Sequence, residues 1–264
     1  LAALVIASGR PFWNYLRSIA ALVLLWYLVS RWIANPNLMP GPEAALPQLR
    51  VIAETGELWK QVTISMRRLV IGYSLAAVAG LTLGVLMTLV RPVEMLADPV
   101  IELVRPVSGI AWIPLFLVLF GVGDVLPILV IFYAAFFPFV VNTYAAFRRI
   151  PPNLIGAAQT LGAGSLTLAR EVIIPAALPS VLTGARIALG FAWASIVAAE
   201  LIGSASGIGF SIEWNRQLLH PDRVLAWIAV VGMLGFLTDR AALWLERRLT
   251  PWARPSGVEM DDGR

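Results

Sequence analysis

Cysteine is absent and histidine occurs once, at His220. The chain therefore has no disulfide, thiolate metal site or thiol nucleophile, and a lone histidine cannot build a histidine metal cluster. Lysine is as scarce. The single one, Lys60, has no glycine-rich turn before it and no serine or threonine after it, so the sequence encodes no P-loop for nucleotide phosphates. Charge as a whole is thin, at 14% of 264 residues, where a soluble domain carries about 25%. That shortage excludes a soluble enzyme and an extended disordered chain.

What is present is apolar. Hydrophobic residues make up 59% of the chain and the mean hydropathy is +0.79, the composition of an integral membrane protein. The net charge is +4 with a pI near 10. The basic residues are scattered between apolar runs, which points to membrane topology rather than nucleic acid. The apolar stretch 1–8 has no basic region before it and Arg10 after it, so it does not read as a cleavable signal peptide.

A helix needs about 20 residues to cross a hydrocarbon core. Three charge-free runs reach that scale: 69–90, 106–123 and 125–147. Shorter runs at 18–30, 187–199 and 224–238 can be extended by flanking arginines that snorkel outward. The expectation is an all-α membrane protein with six spans, near 16–34, 66–90, 101–121, 125–147, 179–201 and 224–246. Six spans put both termini on one side. That side collects 13 of the 20 basic residues, among them Arg10, Arg148, Arg149, Arg170, Arg254 and Arg264. The excess assigns the termini and the 148–178 loop to the cytoplasm, although Arg67 and Arg68 fall on the other side.

Gly72, Ala76, Gly80 and Gly84 recur every fourth residue in the second span, a face that lets another helix approach closely. Pro106 and Pro114 in the third span, and Pro127 and Pro138 in the fourth, predict kinks that can shape a cavity. Residues 35–47 hold four prolines and a glycine and read as loop. Glu102 and Arg105, three apart, read as an interfacial ion pair. Asp239 and Arg240 are adjacent and should not face each other on a helix. Glu200 closes the fifth span at a wet interface. Asn142 and Thr143 read as interhelical hydrogen-bonding groups or path lining, and Trp112 and Trp193 as packing residues or a solute clamp. Together with Glu200 these form the candidate translocation path. His220 reads as a solvated loop residue.

The long connection 148–179 has its own punctuation. Pro151-Pro152 stops one helix and can begin another. Residues 153–161 read as a short helix closed by Gly162 or Gly164. Ser165 is a candidate N-cap for a second short helix, 166–173, which Pro175 should end. Leu154, Ala157, Ala158 and Leu161 share one apolar face. It could lie on the bilayer, pack on its own bundle, or dock in a groove of a soluble partner.

Gly156-Ala157-Ala158, three residues, Gly162, nine residues, then Val172, Ile173 and Ile174-Pro175 resemble the EAA loop of ABC importer permeases. The departure is Gly156, where the family usually has Glu. Further similarity lies in Ala177-Leu178-Pro179-Ser180, Thr183-Gly184-Ala185-Arg186, Ala192-Trp193, Val197-Ala198-Ala199-Glu200, Asp98-Pro99, Arg105-Pro106, Ile113-Pro114-Leu115 and Phe120-Gly121-Val122-Gly123. These resemble the sulfonate, nitrate and taurine branch, over roughly residues 40–252.

The resemblance implies a type I importer permease bundle like that of the methionine permease, in a bacterial inner membrane. It divides the chain into a tail, first span and outer loop (1–60), a permease core (61–250) and a cytoplasmic tail (251–264). It implies two paired permease copies, two cytoplasmic ABC ATPase subunits that bind ATP and Mg2+, and a solute-binding protein that delivers a small oxyanion such as an alkanesulfonate, taurine or nitrate. This chain would be no enzyme and would hold no cofactor or metal. Asn153, Leu154, Gly156, Ala157, Ala158, Leu161, Gly162 and Pro175 would couple to the ATPase.

Two competing classes are weaker. A secondary transporter driven by an ion gradient wants ionisable groups at mid-membrane and an inverted repeat; no convincing repeat is visible, and the middles of spans two to four lack charge. An intramembrane enzyme wants a nucleophile–base pair or a metal cluster, which these residues do not offer.

Overall fold

The computed structural model describes residues 12–35 and 38–253. Arg10, Arg254, Arg264 and most of both predicted tails lie outside them. Among the described residues all regular structure is helical. Helix α1 (Phe12–Ile33) is followed by α2 (Pro42–Glu54), α3 (Glu57–Leu89), α4 (Arg91–Val104), a 3-10 turn (Gly109–Trp112), α5 (Ile113–Phe120) and α6 (Val125–Arg148). Then come the short α7 (Pro152–Thr160), the long α8 (Ser165–Gly203), α9 (Ile208–Gln217) and α10 (Pro221–Leu249).

Five of these helices, α1, α3, α6, α8 and α10, are long and apolar enough to span a bilayer. The sixth expected span is not one helix. Its place is taken by α4 and the 109–120 segment, bent at 83° to each other. The break follows from chemistry at the elbow. Pro106 has no N–H to continue the ladder, and the Ser108 hydroxyl caps the next turn by accepting from the Ile110 N–H at 3.4 Å. The Tyr133 hydroxyl on α6 reaches the carbonyls of Val104 (2.9 Å) and Val107 (3.0 Å), pinning the elbow against the bundle. Pro114, by contrast, sits in the first turn of α5 and starts a helix rather than kinking one.

Residues 35–47 are not all loop. Gly41 is extended and Pro42 opens α2, where the missing N–H is one that no helix could use. A proline reads as a breaker in sequence because its position relative to a helix start shows only in the fold.

Helices α3, α6 and α8 make the centre of the bundle through Leu69, Ala76, Ile131, Phe139, Ala188 and Ala192. The glycine ladder does what its spacing predicts. A Cβ on Gly72 would stand 2.8 Å from the Ile128 carbonyl oxygen, and one on Gly80 would stand 2.5 Å from Phe139 Cβ. Helix α10 is tied to α8 by polar links. The Trp193 indole donates to Thr238 Oγ1 at 2.9 Å. Arg186 pairs with Asp239 at 3.0 Å and with Glu246 at 3.3 Å. Asp239 and Arg240 do meet, at 2.6 Å, contrary to their helical spacing, because the long arginine stem folds back along its own turn. Helix α1 stands at the periphery, held to residues 39–43 by Trp26 and Ser30, which donate to the Pro40 and Met39 carbonyls, and by the Arg31–Glu43 pair.

Candidate functional site

Three features carry chemistry: the 148–179 loop, a buried charge cluster at the opposite end of the bundle, and a cleft beside the elbow.

In the loop, α7 begins with Pro152 after an extended Pro151. Its end is closed by Gly162 at φ +85°, a left-handed conformation natural to glycine. The Gly162 N–H reaches the Gln159 carbonyl at 2.9 Å, and the Ala163 N–H reaches that of Ala158 at 3.0 Å. The predicted helix 153–161 is therefore present, displaced by one residue. The N-cap of the next helix is Gly164, not Ser165, because the extended glycine carbonyl accepts from the Leu168 N–H at 2.8 Å.

Pro175 does not end that helix. The chain passes through a π-helical turn, Leu168–Ile173, and continues unbroken to Gly203. The wider turn just ahead of Pro175 accommodates a residue that cannot donate. The Pro175 carbonyl in turn accepts from the Trp252 indole at 3.2 Å.

No residue of α7 is buried. It packs on the π turn, with Ile155 and Ala158 half-buried. Leu154 is 45% and Leu161 89% exposed, and Asn153, Gly156, Ala157 and Gly162 are exposed too. The predicted apolar face is thus split. Ala158 turns inward, and the rest stands free at the end of the bundle.

At the far end lies a buried charge cluster whose members are distant in sequence. Arg68 on α3 is 1% exposed, as is Glu200 on α8, and they pair at 2.9 Å. All five guanidinium N–H groups of Arg68 have acceptors. Nε reaches Asp124 at 2.9 Å, Nη1 reaches Glu200 and the Ser206 carbonyl, and Nη2 reaches Asp124 and Ser206 Oγ. Glu200 also accepts from Ser65 Oγ at 2.8 Å and from the Gly209 N–H at 3.0 Å. Gln61 accepts from the Gly207 N–H at 2.7 Å.

The glycine-rich turn 203–209 folds directly over the Glu200 carboxylate. A Cβ on Gly207 would stand 2.3 Å from Glu200 Oε1, at a φ of +105°. Glu200 is therefore sealed rather than wetted. Hydrogen bonding from Arg68, with the nearby charges of Arg68 and Arg67, holds the Asp124 carboxyl below the usual carboxylate range against a smaller opposing effect of burial. The signal that could have found this cluster was in the sequence: Gln61, Ser65 and Arg68 continue the buried face of the Gly72–Gly84 ladder.

The cleft, of about 460 Å³, lies between the elbow, α6 and α8. Of the five expected path residues, Asn142 lines it, with its side-chain amide donating to the Pro138 carbonyl at 2.8 Å. Thr143 is buried against Gly84. Trp193 is in the α3–α6–α8 core. Trp112 stacks on Phe116 and tilts onto Tyr133, and Glu200 is in the charge cluster. Arg105 also lines the cleft. It makes no ion pair with Glu102 or any other described residue, although its backbone keeps the helical turn, with the Arg105 N–H on the Ile101 carbonyl at 2.9 Å.

Among the described residues no group of histidine, cysteine or carboxylate side chains could hold a metal ion.

The model of a family described as binding-protein-dependent transport system inner membrane component matches residues 76–251. The taurine transport system permease protein of Escherichia coli K12 is 37% identical over 241 residues, covering 89% of this chain and 88% of that one. A putative aliphatic sulfonates transport permease protein of Bacillus subtilis 168 is 33% identical, covering 92% and 90%. A putative ABC transporter permease protein of Methanocaldococcus jannaschii is 38% identical, covering 89% and 90%. In shape, a chain of the inward-facing methionine ABC transporter superposes with a TM-score of 0.61 at 21% identity, covering 72% of this chain and 94% of that one.

Proposed function

We propose, from the premise that this chain belongs to the binding-protein-dependent transport system inner membrane component family, that two copies of it form the membrane path for a small oxyanion. Permeases of this family are multi-pass inner-membrane proteins and not enzymes; the ATPase is a separate subunit. In this reading two ABC ATPase subunits, holding ATP and Mg2+, engage the 148–179 loop from the cytoplasm, where both termini also lie. A solute-binding protein docks at the opposite face. Residues 61–250 are the permease core. The substrate class, a sulfonate, taurine or similar oxyanion, rests on the names of the relatives.

One observation carries the coupling assignment: α7 buries none of its own residues and stands at the end of the bundle. Asn153, Leu154, Gly156, Ala157 and Leu161 are its free surface, Ala158 seats it, Gly162 closes it, and Pro175 anchors the following turn. Small residues permit close backbone docking in a groove, whereas insertion in lipid favours bulky aromatic and aliphatic side chains.

The test is copurification and uptake. The protein expressed with its partner ATPase should elute with it, and Ala157→Trp, at an exposed position, should release the ATPase while the permease stays folded. Proteoliposomes of the complex should take up solute with ATP and binding protein. Uptake driven by a proton gradient without ATP would instead establish a secondary transporter.

A further inference from the structure

We infer that the cleft beside the elbow is an oxyanion-binding site within the permease itself, with Arg105 as its cation, and that it favours an anion carrying a short apolar tail. The inference rests on the transport reading above and adds a site to it.

The depth of the cleft comes first. Tyr133 lies eight residues into α6, and Ser195 lies eight residues before the end of α8. At 1.5 Å per residue both stand about 12 Å from the same end of the bundle, so the cleft opens within the apolar length of α6 and not at its tip. An ionisable group there is costly unless it has work to do. Arg105 is nonetheless unpaired, in contrast to Arg68, Arg186 and Arg240, each of which has a carboxylate partner.

The lining comes second. No carboxylate borders the cleft. Ser195 does, and although only 6% exposed its hydroxyl has no hydrogen-bond partner among the described residues. That hydroxyl is not sealed in the core and is free to donate into the cleft. Ser108 Oγ accepts from the Ile110 N–H, which leaves its own proton free to donate. The site therefore offers a guanidinium fork and two hydroxyl donors, the complement of a sulfonate or related oxyanion. The other wall is apolar, with Ile187 and Phe191 among its residues, which suits a short alkyl tail better than a fully hydrated inorganic ion. The volume lies within the usual range for small-ligand sites.

The test uses the assembled permease–ATPase complex in nanodiscs, without binding protein, and propane-1-sulfonate as the probe. Saturable binding is expected at millimolar probe. Arg105→Gln should weaken it about tenfold or more, the loss expected for a charged hydrogen bond. Arg105→Lys should recover part of it, since the charge stays but the fork is lost. Ser108→Asp keeps a residue suited to capping the 3-10 turn but places an anion beside Arg105. It should weaken binding comparably even if Arg105→Gln disturbs assembly. Nitrate should compete less well than the sulfonate.

Absence of saturable wild-type binding, or wild-type behaviour of both Arg105→Gln and Ser108→Asp, overturns the site. ATP-driven uptake by wild-type proteoliposomes supplied with binding protein separates the two ideas. If none of taurine, propane-1-sulfonate, nitrate or bicarbonate is taken up, the transport reading falls. If uptake occurs and neither variant changes it or the binding, only the site falls.

Discussion

The two ends of this bundle are built on opposite principles. At one end Arg68 and Glu200 are almost wholly buried, and every donor of the arginine is matched by an acceptor from α3's neighbours. At the other end α7 buries nothing and leaves Leu154 and Leu161 in the open. Buried charges hold position because leaving it would strand a charge in a low-dielectric interior. An exposed helix seated only on the adjacent π turn has no such charge-bound tie and leaves a surface for another chain to hold. The difference teaches which end of the molecule fixes the bundle and which end, on the proposed reading, would receive force.

The largest expected effect comes from breaking the fixed end. Arg68→Met removes five hydrogen bonds and leaves Glu200 buried without a counter-charge, which should cost about 3–5 kcal/mol. Thermal unfolding of the purified protein in detergent reads it as a large drop in midpoint. Adding Glu200→Met removes the stranded carboxylate, so the double variant should recover much of the loss. If the single variant unfolds like the wild type, the cluster does not hold the far end together.

How much of this was legible in the sequence follows the same division. The membrane class, the helical architecture and α7 with its glycine stop were readable, because composition, helix length and turn chemistry are local signals. The α3 ladder was readable too, since a four-residue repeat of small residues means close approach whatever the partner. The elbow was only half readable. Pro106 announced a break, but the 83° bend depends on Tyr133, which comes 27 residues later. The charge cluster was missed because its members, Gln61, Ser65, Arg68, Asp124, Glu200 and Ser206, come from three separate parts of the chain. Arg68, which weighed against the topology count, is neutralised by the buried Glu200 and the half-exposed Asp124, so it carries little topological information. Glu200 looked wet because it closes a span, and only the glycine-rich turn folded over it removes it from water.

A smaller effect sharpens the contrast at the free end. Gly156 stands where the resembling family carries Glu, and a side chain there would meet nothing within 4 Å. Gly156→Glu should therefore raise the stability of the permease by no more than about 1 kcal/mol, the helix-propensity gain over glycine. Its larger consequence would be for the partner. Affinity for the ATPase, measured by titrating the subunit onto the permease in nanodiscs, should change while the thermal midpoint moves by only a few degrees. The same steric freedom does not exist at Gly207, where any side chain would collide with Glu200. Equal tolerance at both positions would erase the distinction between the two ends.

The smallest effect is a pH dependence at the rim of the fixed end. Asp124 is held below the ordinary carboxylate range, first by its hydrogen bond from Arg68 and then by the charges of Arg68 and Arg67. Its side chain is 45% exposed, so water screens the interaction and the contribution is modest. The sign is fixed by the direction of the shift. A carboxylate whose pKa is lower folded than unfolded stabilises the fold fully above the unfolded value of about 3.9, and loses that contribution as pH falls through the lower folded value. Asp124→Asn should therefore lower the thermal midpoint near neutral pH. The gap from the wild type should narrow on acidification below about pH 4. A gap that stays constant down to the acid limit would mean that Asp124 contributes through shape and neutral hydrogen bonding, and that the charge of the far end resides in the Arg68–Glu200 pair alone.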